Sequence, residues 1–341
     1  MNMETSMLSR PHSSTNIQIV LSNTPEQKPK ETSDVRFERI KEFLQASNFS
    51  DNTKKSYRKE LEQFITQVER TWHTVTPRDV SRYKDWLKLC RNTKDKPLSV
   101  SSINQALTAI KSFYKWFQLS GYLELTTPLP TAAIKFEKLG LPLPRNLSKD
   151  QMNDMAMALA FDSDDPISRR DRALLAVLIH GLRAEDISQL NLENWDGERL
   201  SFCRKKTKED ARVPIRPSSR AAIAEYLDYR RLEQREALEP SSPLFLSHNR
   251  RAPGRRLGYQ GIYHFVRFRL GQAIGVAPDS SDHLTPHRFR HTYACELLEL
   301  GVDSLLARSL TGQSEKVFER YAKGVRLSSA EAAFLKAIGD N

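Results

Sequence analysis

At 341 residues the chain has room for two domains of the usual roughly 100–200 residues. Its 53 lysines and arginines against 42 acidic residues leave a formal charge of +11, which favours a polyanionic partner, nucleic acid first, although charge alone does not decide it without a motif. Three widely spaced cysteines (Cys90, Cys203, Cys295) argue against a disulfide framework or a cysteine zinc site, and no apolar run approaches the roughly 20 residues of a membrane span, so a soluble cytoplasmic protein is expected.

Residues 1–33 are rich in Ser, Thr, Asn, Pro and charge, with one apolar patch at Ile17-Gln18-Ile19-Val20-Leu21. So little apolar surface cannot offset the entropy of ordering, and a mobile tail is expected, its patch open to a partner. From 34 to 121 the pattern is helical. Polar residues from Ser50 to Thr53 cap a helix that places Tyr57, Leu61, Phe64 and Ile65 on one face. Thr76-Pro77 opens a second, running through Val80, Tyr83, Trp86 and Leu87. A third, from Ser99 to Phe117, spaces Val100, Ile103, Leu107, Ile110, Phe113, Tyr114 and Phe117 by three and four residues and turns Lys111 and Lys115 elsewhere. A small helical bundle with basic outer faces follows.

Between 122 and 147, Pro128, Pro130, Pro142 and Pro144 interrupt the periodicity, and the segment reads as a linker. Ser148 caps the next helix and opens a second domain, 148–325. There the turn Trp195-Asp196-Gly197 precedes two strands, Leu200 to Cys203 and Arg212 to Ile215, flanking a charged hairpin. The fold class is therefore mainly α with a small antiparallel β-sheet. Within 326–341, Ser328 or Ser329 caps a short terminal helix striped by Phe334, Leu335 and Ile338.

The chemistry gathers late in the chain. His287-Arg288-Phe289-Arg290-His291-Thr292 and Tyr321 bring two imidazoles, the Arg290 guanidinium three residues after the first of them, and a phenol into one stretch, and Gly181-Leu182-Arg183 supplies a further guanidinium upstream. A phenol attacks a phosphodiester only where the charge gathering on phosphorus is neutralised, which forked, permanently protonated arginines do. No metal-ligand set, glycine-rich phosphate loop or Gly-x-Ser-x-Gly elbow competes. Zinc on His287 and His291 is disfavoured because Arg288 stands where the metalloprotease pattern needs glutamate.

In this order the residues from about 34 to 325 resemble the tyrosine recombinase (phage integrase) family. Gly181-Leu182-Arg183-Ala184-Glu185-Asp186-Ile187-Ser188-Gln189-Leu190 fits its first arginine box, with Asp186 at the acidic position. The resemblance implies a helical core-binding domain and a mixed α/β catalytic domain. It also implies that Arg183 and Arg290 clamp the phosphate, that His287 assists proton transfer, and that Tyr321 is the nucleophile. A hairpin lysine protonates the departing 5′ oxygen in such proteins; Lys206 is the choice here, with Lys205 and Lys208 as alternatives. Desolvation beside the two arginines is expected to ease release of its proton. His291 is expected to be structural. Gln313 stands where relatives carry His or Trp, one residue nearer the tyrosine than is common, and glutamine can donate a hydrogen bond but shuttle no proton.

The resemblance further implies duplex DNA with a specific site as partner, a homo-tetramer on that DNA joined by the terminal helix, accessory proteins as further partners, and neither metal nor cofactor. Lys54, Lys55, Arg58, Lys111 and Lys115 are expected to face the backbone from the first domain, and Arg250, Arg251, Arg255 and Arg256 from a basic loop of the second. The rival readings are a DNA-binding or regulatory relative weakened in cutting, and a topoisomerase of the type IB kind.

Overall fold

The structure, a computed structural model, describes residues 34–93, 95–140, 144–249 and 253–339. The chain divides between Gly140 and Leu141 into two compact units. The expectations for residues 1–33, for Pro142 and for Arg250 and Arg251 lie outside the described residues.

The first unit is built on α1 (Val35–Ala46), α2 (Asp51–Val68), α3 (Pro77–Leu89) and α4 (Val100–Leu119). Each starts at a polar cap: Asp34, Ser50, Thr76 and Ser99 each accept a backbone N–H of the first turn, and Thr76 and Asp79 form a reciprocal capping box ahead of Pro77. The expected apolar faces meet in the core, where Leu61, Phe64, Ile65, Val80, Leu87, Ile110, Phe113 and Phe117 are buried. Trp72 closes it: its ring centroid lies 4.0 Å from that of Phe113, its indole N–H donates to the Arg36 carbonyl at 2.8 Å, and its own carbonyl accepts the Tyr114 hydroxyl at 3.1 Å. Burial of the rings is thus accompanied by satisfaction of their polar ends.

The linker expected over 122–147 is corrected. Residues 122–140 are strapped onto this first unit, with Tyr122, Leu123, Leu129 and Ile134 packed on its core. Asn104 on α4 makes a two-way bond with the Glu137 backbone (2.9 and 2.8 Å), and Lys84 on α3 donates to the Lys135 carbonyl at 2.7 Å. The prolines end the helical period but leave carbonyls that α3 and α4 side chains can satisfy, so a stretch without periodicity is still ordered.

The second unit opens with α5 (Lys149–Ala160), capped by Ser148 as expected, and α6 (Pro166–Leu178), which is buried almost continuously from Ala173 to Leu178. The one-turn α7 (Ala184–Ile187) follows. Strands β1 (Arg199–Cys203) and β2 (Asp210–Pro214) pair antiparallel, Arg199 opposite Pro214 and Cys203 opposite Asp210. Next come α8 (Pro217–Leu232) and α9 (Tyr259–His264), the latter continuing through a π-helical turn, Phe265–Leu270, into α10 (Gly271–Ala273). The chain ends in α11 (Pro286–Glu299), α12 (Ser304–Thr311) and α13 (Glu315–Ile338). A separate terminal helix is also corrected: α13 is one 24-residue helix, and Ser328 and Ser329 lie inside it. A serine begins a helix only where the preceding backbone leaves the helical region, and here nothing interrupts it.

Candidate active site

The site assembles where the end of α6, the base of the β-hairpin and the ends of α11 and α12 meet, all within the second unit. The turn after α6 carries Gly181 at φ +72°, where a side chain would be strained and a Cβ would stand 2.7 Å from Tyr293 Cδ1. This turn delivers Arg183 to the N-cap position of α7. One face of its guanidinium donates to the Gly312 carbonyl at 2.7 Å; Nη1 stands 3.7 Å from Asp186 Oδ2 and is buried without a hydrogen-bond partner among the described residues. Asp186 is itself buried and accepts the Lys205 backbone N–H at 3.0 Å, which ties the arginine box to the hairpin.

Arg290, on α11, is 2 % exposed. It donates to the Gly181 carbonyl at 2.8 Å, to the Gly312 carbonyl at 3.3 Å and to the Thr311 carbonyl. The carbonyls at the C-terminal end of α12 have no partner within the helix, and cations there complement the helix dipole. Burial, then the charges of Arg183 and Arg204, push Arg290 down to about 9, so it remains protonated at neutral pH.

A third guanidinium, missed in the sequence, joins them. Arg204 is 2 % exposed and donates to the Leu310 carbonyl at 2.7 Å and to those of Ser309 and Thr311 at 3.3 and 3.4 Å. In sequence it is the first of a run of basic hairpin residues; the available signal was its place in the two-residue spacing after Leu200 and Phe202, which continues the inward face of β1.

Tyr321 lies on the second turn of α13 and is 1 % exposed, packed with Phe318, Tyr293, Ala294 and Cys295. Gln313 Nε2 donates to its hydroxyl at 3.1 Å, and the His291 ring meets it edge to face at 5.4 Å between centroids. Burial raises the phenol's pKa, opposed by the Gln313 bond and by the charges of Arg320 and Arg290. His291 is held down to about 4 by burial and then by His287 and surrounding arginines, hence neutral. It is the imidazole in ring contact with the phenol. His287 is exposed, but the protein around it and then Arg290, Arg183 and Lys206 lower its pKa as well.

Lys206 sits on the hairpin tip, as expected, with Lys205 and Lys208 beside it. All three are exposed, so the desolvated setting expected for Lys206 is absent from the free chain: the hairpin projects past the two arginines into solvent. Among the proposed backbone contacts, Lys55, Arg58, Lys115 and Arg255 are exposed and Lys54 is half-buried. Two are corrected. Lys111 donates to the Thr131 carbonyl at 3.0 Å and lies over the Phe136 ring, while Arg256 donates to the Leu190 carbonyl at 2.8 Å and to Asn191 Oδ1 at 2.5 Å. Both fasten loops because uncapped carbonyls lie within their reach. Among the described residues no group of three or more His, Cys, Asp or Glu could hold a metal ion, and no helix is long and apolar enough to cross a membrane.

The second helical unit thus gathers three arginines on the helix end that leads into a buried tyrosine, an arrangement suited to holding an anion such as phosphate beside a phenol. Residues 145–323 match the Phage integrase family, and residues 37–120 match the phage integrase N-terminal SAM-like domain. The chain belongs to the phage integrase, or tyrosine recombinase, family. It is similar to tyrosine recombinase XerC of Herpetosiphon aurantiacus, 30% identical over 270 residues that cover 77% of this chain and 81% of that protein. XerC of Roseiflexus castenholzii is 29% identical over 288 residues, 81% of this chain and 85% of that one. The fold is shared with the crystal structure of XerH recombinase bound to palindromic difH substrate (TM-score 0.65, 16% identity, 87% of this chain and 84% of that one). It is shared too with a lambda integrase dimer bound to a COC′ core site (TM-score 0.61, 16% identity, 84% and 94%).

Proposed function

We propose that the protein is a site-specific DNA recombinase that cuts and rejoins strands through Tyr321. The observation that carries this reading is the convergence of Arg183 and Arg290 on Thr311 and Gly312, the two residues that lead directly into Gln313 and its bond to Tyr321. Arg183 Nη1, buried and without a hydrogen-bond partner among the described residues, is a donor available to an acceptor.

The Tyr321 oxygen attacks phosphorus while Arg183 and Arg290 hold the non-bridging oxygens, whose charge grows in the transition state. His287, its pKa lowered by desolvation and then by neighbouring cations, takes part in moving the phenolic proton. The bond from phosphorus to the 5′ oxygen breaks as Lys206 gives that oxygen a proton. The products are a 3′-phosphotyrosyl link and a free 5′ hydroxyl. One phosphoester replaces another, so rejoining needs no external energy source. Because Tyr321 is buried in the free chain, the second turn of α13 must move before the phenol meets DNA.

Strand exchange in a synaptic tetramer is supported by the apolar residues that the C-terminal half of α13 leaves exposed, among them Leu327, Phe334, Leu335 and Ile338, which suit docking on a second copy. Truncation after Arg326 should then leave only smaller complexes on DNA in sedimentation; unchanged tetramers would remove that role. Lys55, Arg58, Lys115 and Arg255 fit contacts to the DNA backbone.

The main test incubates the protein with nicked suicide duplexes tiled from DNA flanking its own gene and resolves products on a denaturing gel. A covalent adduct formed by the wild type and lost in Tyr321→Phe is the expected result. A native-gel shift without any adduct would instead favour a binding protein that does not cut.

A further inference from the structure

We infer that Arg204 is a positioning residue for the cleavage reaction: it locks the base of the hairpin that carries Lys206 to the end of α12, which leads into Gln313 and Tyr321. The inference rests on the reading of Lys206 as the acid that protonates the 5′ oxygen.

The base of the hairpin is fixed at two successive residues. Arg204 Nη2 donates to the Leu310 and Ser309 carbonyls and Nη1 to that of Thr311, so its planar fork spans the last turn of α12. Its guanidinium carbon lies 5.8 Å from the centre of the Phe202 ring on β1. Gly312 makes room for it: a Cβ there would fall 2.6 Å from Arg204 Cζ. The backbone of Arg204 donates to the Glu209 carbonyl at 2.8 Å and accepts the Lys208 N–H at 2.9 Å, closing the loop across its tip. One residue on, the Lys205 N–H is held by Asp186 at 3.0 Å. Residues 205–209 are exposed, so order in the tip is inherited from Arg204 and Lys205.

Arg204 differs from the two arginines assigned to phosphate. Arg183 keeps a buried Nη1 with no hydrogen-bond partner among the described residues, whereas both terminal nitrogens of Arg204, like those of Arg290, are bonded to carbonyls, and Arg204 alone of the three is carried by the hairpin itself. Its place is between the acid and the nucleophile, holding apart or together two groups that must meet one phosphodiester. A lysine swinging free of that register would still carry its proton but deliver it badly, and misplacement by about 1 Å costs on the order of 100-fold in rate.

Leaving-group chemistry separates this role from a general loss of structure. The 5′ oxygen departs as an alkoxide unless protonated, so its departure depends on Lys206. A 5′-bridging sulfur departs as a stable thiolate and needs no proton. Arg204→Gln and Arg204→Lys are compared with Lys206→Ala on the nicked duplex the wild type cleaves, made with either bridging atom. Expected are a roughly 10- to 100-fold slower adduct formation by Arg204→Gln with oxygen, a smaller defect for Arg204→Lys, and near wild-type rates for both with sulfur. Lys206→Ala should be rescued by sulfur too. If Lys206→Ala is rescued while the Arg204 variants stay slow on both substrates, Arg204 serves the fold or the nucleophile and the inference is overturned. Wild-type rates for both variants with oxygen overturn it as well. Failure of sulfur to rescue Lys206→Ala removes the lysine from the acid role and the inference with it. Should Arg204→Gln not fold, Arg204→Lys alone decides by the same ratio of rates.

Discussion

Gln313 Nε2 stands 3.1 Å from the hydroxyl of Tyr321, while Gln313 Oε1 is buried without a hydrogen-bond partner among the described residues. Nitrogen and oxygen of an amide are interchangeable by a half-turn, and the turned amide would accept a hydrogen bond from the phenol through its oxygen. In either orientation Gln313 holds the Tyr321 hydroxyl. Gln313→Ala strips a buried hydroxyl of its partner and should cost about 1–3 kcal/mol. Thermal melts of Gln313→Ala, Tyr321→Phe and the double variant check this: a coupling of about 0.5–1.5 kcal/mol is expected, and additive losses would place the two groups out of contact.

Gly181 allows Arg183 its position by turning the chain at φ +72° against Tyr293. Gly181→Ala should destabilise the fold by at least about 1–3 kcal/mol, because the backbone strain and the clash act together. It should also depress adduct formation at temperatures where the variant is folded. A melting temperature equal to wild type would contradict this account of the turn.

His180 is 2 % exposed, donates Nδ1–H to the Ala176 carbonyl at 2.7 Å and accepts the Arg216 N–H at Nε2 at 3.0 Å, an arrangement only the neutral ring can make. Burial lowers its pKa from 6.5 to about 4. The unfolded chain therefore takes up this proton near pH 6.5 and the folded chain only near 4. The stabilisation is complete above pH 6.5 and lost as pH falls toward 4, by about 3 kcal/mol in all. Urea unfolding at pH 7.5 and 4.0 should find the advantage of wild type over His180→Asn shrinking by that order. A constant difference would mean the ring is not held neutral.

Two arginines of one basic loop should behave oppositely. Arg256 is bonded to Leu190 and Asn191, so Arg256→Ala should lower stability by about 1–3 kcal/mol and leave the salt dependence of DNA binding unchanged. Arg255 is exposed, and if it contacts phosphate Arg255→Ala should reduce the log–log salt slope by about 0.9 with little effect on melting. Binding titrations by anisotropy across a salt series distinguish the two, and a slope change in Arg256→Ala would reverse the assignment.

Periodicity and caps carried much of this protein in the open. The faces of α2, α3 and α4, the caps at Ser50, Thr76, Ser99 and Ser148, and the hairpin of β1 and β2 follow from local spacing and polar oxygens placed before apolar runs, which act within a turn or two of chain. The order of Arg183, Lys206, His287, Arg290 and Tyr321 was noticed through the family resemblance, and the fold brings Arg183 and Arg290 to one helix end. What the sequence concealed are the bonds between distant segments. Arg204 and Lys206 read alike in one basic run, yet one is buried on α12 and the other exposed; Lys111 and Arg256 read as DNA contacts and prove to be fasteners. A guanidinium or ammonium finds whichever acceptor the fold brings near, and an unpaired carbonyl more than a hundred residues away leaves no mark on local pattern. The residue types needed for strand cleavage were thus set by the sequence itself, whereas which cations remain free, and that Tyr321 starts buried against Gln313 and His291, were decided only when the helix ends met.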